Sequence, residues 1–158
     1  MKKWILLISS IVLIMAVVSV IVYSKARAPL TNDRNTAEKR AIKEADIVSV
    51  DDYYLYNGSN TYHTIIGKNK AGEQLAVWVP ENKKQDIVIK KLSDGISEQD
   101  AVKKLFTEEN PKEILGVRLG MEQDLPIWEL AYLDDKSNLN YYYIHFDTGK
   151  WWRKIDNL

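Results

Sequence analysis

Residues 141–155 read YYYIHFDTGKWWRKI, from Tyr141 to Ile155, and carry six aromatic side chains and one of the two histidines of a 158-residue chain. Side chains along a strand alternate between its two faces. Tyr142, Ile144 and Phe146 therefore share one face, and Tyr141, Tyr143 and His145 share the other. Asp147-Thr148-Gly149-Lys150 has the composition of a tight turn, with glycine placed where positive φ is needed. The stretch predicts a strand over 139–146 joined to a short strand over 151–155. One aromatic face needs a cover, and the other needs either a second cover or a partner.

The residues upstream supply the cover. Ser97 stands three residues before Asp100 as a helix cap, and Ala101, Val102, Leu105 and Phe106 follow at helical spacing. This helix runs to Glu109 and stops at Asn110-Pro111, because the residue before proline disfavours helix. Two further alternating runs, Ile114–Met121 and Ile127–Leu133, complete a helix followed by four strands.

The earlier half repeats that order. Thr36–Ala45 reads as a helix capped by Thr36, followed by strands over Ile47–Tyr56, Tyr62–Gly67, Gln74–Val79 and Ile87–Leu92. Laying Tyr62 on Trp128 brings Leu75 onto Tyr141, Val77 onto Tyr143 and Glu81 onto Asp147, which predicts an internal duplication. The fold class is α+β, each unit a helix packed on an antiparallel sheet. The expected divisions are 1–28 for a tail, span and stem, 29–92 for the first unit and 93–158 for the second.

Residues 4–23, WILLISSIVLIMAVVSVIVY, hold no charge from Trp4 to Tyr23. At about 1.5 Å per residue this run matches a hydrocarbon layer of roughly 30 Å. It exceeds the apolar region of a cleaved signal peptide, about 7–15 residues, and predicts an uncleaved signal anchor. The short basic tail of Lys2 and Lys3 places the N-terminus in the cytoplasm and the rest of the chain outside, single-pass in the cell membrane. Twenty-two basic and 22 acidic residues balance over the chain, but 18 bases stand against 22 acids after Pro29. That balance implies no basic face for nucleic acid. Cysteine is absent, which removes thiol chemistry and Cys-ligated zinc.

Catalytic signatures are weak. His63 and His145 fall on strands, and neither has a histidine partner at metal-binding spacing. Asp51-Asp52 and Asp134-Asp135 are adjacent pairs, which a strand would send to opposite faces rather than to one substrate. Ser59, Ser93, Ser97 and Ser137 lack a nucleophile surround. The expectation is a noncatalytic protein without cofactor or metal; a pocket joining His63 to carboxylates would instead favour an enzyme. Adjacent Trp151 and Trp152 cannot both enter one core from one strand. Exposed aromatics are favoured interface anchors, so Trp152, Trp151, Tyr141, Tyr143 and Tyr53 are the candidate partner-binding residues.

ISEQDAVKKLF with PIWELAYL and YYYIHFDTGKWWRKI resembles the PepSY family. AEKRAIKEADIVSVDDYYLYNG with YHTIIGKNKAGEQLAVWVP is similar to the TseB-like cell wall elongation regulators of Gram-positive bacteria. The resemblance implies two tandem PepSY-like, cystatin-shaped units behind a membrane anchor. It further implies an extracytoplasmic accessory protein that regulates cell wall elongation by binding a class B penicillin-binding protein. The PepSY likeness alone implies a different role, the restraint of an extracellular peptidase.

Overall fold

The computed structural model describes residues 2–156, with the side chains of residues 2, 4–10 and 26–31 outside that description. The chain divides into two compact units, Met1–Thr36 and Ala37–Leu158. Most of the first is helix α1, which extends over Lys2–Glu44. Its apolar stretch accommodates serines by back-bonding: the Ser19 hydroxyl donates to the Met15 carbonyl at 2.8 Å and that of Ser24 to Val20 at 2.8 Å. Among the described residues, no helix is long and apolar enough to cross a membrane. Within the expected Trp4–Tyr23 span, the side chains of residues 4–10 lie outside that description.

The expected helix start at Thr36 is corrected. Its hydroxyl donates to the Asn32 carbonyl at 2.8 Å, one turn earlier in the same helix, so Thr36 is an interior residue rather than a cap. Residues 31–36 continue a helix already under way.

The second unit holds the end of α1, eight strands and helix α2. The first sheet comprises β1 (Ile47–Asn57), β2 (Thr61–Asn69), β3 (Gln74–Pro80) and β4 (Val88–Lys91), in that order. A 3₁₀ turn at Leu92–Asp94 leads to α2, Glu98–Glu108. The second sheet comprises β5 (Glu113–Glu122), β6 (Leu125–Leu133), β7 (Leu139–His145) and β8 (Trp151–Ile155), again in sequence order. Every neighbouring pair is antiparallel. α2 begins as the sequence predicts, with Ser97 Oγ accepting from the Asp100 amide. The β7–β8 turn also forms as predicted, with Gly149 at φ 63°.

The strand order repeats between the two sheets, but the register that relates them differs from the sequence expectation by one residue. Ile65 pairs with Val77 as Leu130 pairs with Tyr142, and Trp78 pairs with Val88 as Tyr143 pairs with Arg153. Both relations give an offset of 65 residues (130 less 65, 143 less 78) rather than the 66 that places Val77 on Tyr143. A slip of one residue moves every side chain to the opposite face. Val77 packs with Ala37 and Ala41 of α1, and its counterpart Tyr142 packs with Ala101 and Leu105 of α2. Tyr143 faces away from α2, in a separate cluster with Tyr56 and Ile127.

The largest core cluster joins the halves. Tyr62, Ile66, Ala76 and Trp78 of the first sheet pack with Leu119, Met121, Trp128, Leu130, Tyr142, Ile144 and Phe146 of the second, together with Ala101 and Leu105. Two buried indoles are satisfied by backbone: Trp78 Nε1 donates to the Gly120 carbonyl at 2.9 Å and Trp128 Nε1 to that of Ile96 at 3.0 Å.

Candidate functional site

The face of the second sheet turned away from α2 is built as a cross-strand row. Arg118 of β5 pairs with Glu129 of β6, Glu129 with Tyr143 of β7, and Tyr143 with Arg153 of β8. Side chains paired this way lie on one face. Arg118 makes an ion pair with Glu129 at 3.1 Å. Burial, then the Glu129 charge and hydrogen bond, raise the Tyr143 hydroxyl well above its usual pKa, so it remains protonated.

A bulge in β8 completes the face. Tyr143 pairs with Arg153 but Ile144 pairs with Trp151, which leaves Trp152 as the extra residue. Trp152 and Arg153 consequently gather at Tyr143, where strict alternation would have separated them. The Trp152 ring meets Tyr143 edge-on at 6.0 Å and His145 at 6.3 Å, while Tyr141 stacks on Tyr143 at 6.4 Å. The Arg153 guanidinium lies 4.7 Å from the Tyr143 ring centre and 4.6 Å from that of Trp152, within cation–π range. Tyr141, His145, Trp152, Arg153 and Ile155 are half-buried, forming an amphipathic surface of rings around the Arg153 guanidinium.

The face is anchored to the first sheet through Tyr56 of β1. Its ring lies on Gly120, where an added Cβ would run into the aromatic carbons. Its hydroxyl donates to buried Glu122 at 3.1 Å, and the Ser59 amide and hydroxyl donate to the same carboxylate. Burial pushes the Glu122 pKa up, but the Ser59 and Tyr56 bonds outweigh it and hold the carboxyl below its ordinary value.

The structure therefore brings together three of the five candidate residues, Tyr141, Tyr143 and Trp152. Trp151, paired with Ile144, lies outside that cluster at 55% exposure. Tyr53 packs beside the α1-facing core of the first sheet, and its hydroxyl lies 2.8 Å from His63 Nδ1. Arg153 is a further member of the cluster that strand alternation does not reveal, because without the bulge it would face away from Trp152. Among the described residues, no group of three or more His, Asp or Glu is placed to hold a metal ion.

Comparison with known proteins places this architecture. A family model described as the cell wall elongation regulator TseB-like domain matches residues 36–80, from the last turns of α1 through β3. The chain is 34% identical over 140 residues to the probable cell wall elongation regulator TseB of Bacillus subtilis, covering 89% of this chain and 87% of that protein. The solved structure of the YpmB protein from Bacillus subtilis superposes with a TM-score of 0.72 at 34% identity, covering 77% of this chain and 95% of that one. The chain belongs to the family of TseB-like cell wall elongation regulators.

Proposed function

We propose that this protein is a noncatalytic, membrane-anchored regulator of cell wall elongation that binds a class B penicillin-binding protein through the aromatic face of its second sheet. The observation that carries the reading is the Tyr141–Tyr143–Trp152 cluster with Arg153 laid over its rings. Aromatic and arginine side chains are the types that dominate binding energy at protein interfaces. Family membership supplies the process. The uncharged run Trp4–Tyr23 supports an anchor with the N-terminus cytoplasmic and the sheets extracytoplasmic. An anchored partner meets the face at high effective concentration, so a modest interface is sufficient.

In-cell photo-crosslinking from positions 141 and 152 of the full chain, with captured proteins identified by mass spectrometry, tests the reading. Capture of a class B penicillin-binding protein, lost when Arg153 is replaced by Ala, is the expected result. Capture of a secreted peptidase instead would overturn it in favour of an inhibitor.

A further inference from the structure

A second surface of the same unit has a different chemistry. A cleft of about 680 Å³ lies between the first sheet and the start of α2, within the range of roughly 300–1,000 Å³ typical of binding clefts. Ile66, Leu92 and Tyr54 form its apolar part, and the Tyr54 ring stands edge-on to Trp128 at 6.1 Å. Its charged lining is Asp51, Asp52, Glu73, Glu98 and Asp100 against a single base, Lys91, which already pairs with Glu73. The Tyr54 hydroxyl donates to Glu98 at 3.1 Å, which holds the ring beside the carboxylates.

We propose that this cleft binds a lysine- or arginine-bearing segment of a partner protein. Charge complementarity selects a cation, since Asp51, Asp52 and Glu98 remain after Lys91 pairs with Glu73 and Lys103 with Asp100. The apolar lining selects one carried on a hydrocarbon stem. Lysine and arginine bury their methylenes along apolar surface while the charged head remains polar-bound, and the Tyr54 ring offers a cation–π face. A bare metal ion would use only the carboxylates and leave Tyr54, Ile66 and Leu92 without a role. This site is separate from the aromatic face, and neither depends on the other.

The test uses the full chain in lipid nanodiscs and a fluorescein-labelled peptide, Gly-Lys-Leu-Lys-Gly, read by anisotropy. A version with glutamine for lysine and one with glutamate serve as comparators. The lysine peptide should bind, weaken as salt shortens the screening length to about 8 Å at physiological strength, and exceed the glutamine peptide. The double substitution Asp52→Asn with Glu98→Gln should weaken it roughly fivefold, the order expected for two partly exposed charge pairs. Circular dichroism of that variant should remain unchanged. Equal affinity for the glutamine peptide, no effect of the double substitution, or no binding at millimolar peptide would each overturn the proposal. So would preferential binding of an amine-bearing cell-wall fragment or of calcium.

Discussion

The two sheets share strand order and, over β2–β4 and β6–β8, a 65-residue offset, yet they dispose of their second faces differently. In the first sheet, Ala76 and Trp78 turn away from α1 and are completely buried against residues of the second half. The residues 65 positions later, Tyr141 and Tyr143, turn away from α2 and share a cluster with Tyr56 from the first half. At Ala76 and Tyr141 the same position is core in one copy and half-buried surface in the other, whereas Tyr143, like Trp78, is buried, at 5% exposure, beneath neighbours of its own sheet. A duplicated sheet can bury one copy's spare face inside the molecule and present the other's outside it. The residue types agree: a small Ala76 and a hydrogen-bonded Trp78 fit an enclosed space, while the half-buried Tyr141 tolerates contact with water.

Replacing Trp78 with Ala should give the largest loss of stability, about 3–5 kcal/mol, because it opens a cavity and strands the Gly120 carbonyl. Urea unfolding followed by the remaining indole fluorescence measures it. A loss below about 1 kcal/mol would break the contrast between the two faces. Gly120→Ala should cost about 1–3 kcal/mol, since the added carbon meets the Tyr56 ring and displaces it from beneath the aromatic face. A loss of the Tyr143–Trp152 ring-current shift in NMR spectra of that variant would show the displacement directly.

Glu122 sharpens the comparison through pH. Its folded pKa lies below the ordinary value despite burial, so its stabilisation is complete above the unfolded value of about 4.3 and fades as pH falls through the folded one. Acid unfolding of the wild type should therefore be steeper below pH 4.3 than that of Glu122→Gln. At neutral pH the substitution should cost about 1–3 kcal/mol; parallel acid profiles would remove Glu122 as the titrating tie. The smallest effect belongs to the open face. Tyr141→Ala should cost less than about 1 kcal/mol and Trp151→Ser less than about 0.5 kcal/mol, both measurable by the same urea titration.

Local chemistry made most of the strands legible. Alternating runs, turn residues and the Ser97 cap fix where elements begin and end, and the split of Tyr142, Ile144 and Phe146 from Tyr141 and Tyr143 follows from strand periodicity alone. The repeat's register was not legible, because identities between hairpins score as well one residue out of step, whereas helix packing does not tolerate the slip. The β8 bulge left no mark such as an internal glycine, so the meeting of Trp152 with Arg153 depended on pairing geometry. The acidic cleft was hidden for another reason. Its carboxylates come from β1, the β2–β3 turn and the first turn of α2, and only the tertiary fold brings them together.

The most direct test is the affinity of the purified full-length chain for a purified class B penicillin-binding protein, both in nanodiscs, with and without Trp152→Ala. The account predicts binding that weakens at least tenfold in the variant, as the loss of an interface anchor worth about 2 kcal/mol requires. Unchanged affinity in a correctly folded variant, or no binding by the wild type, would contradict it.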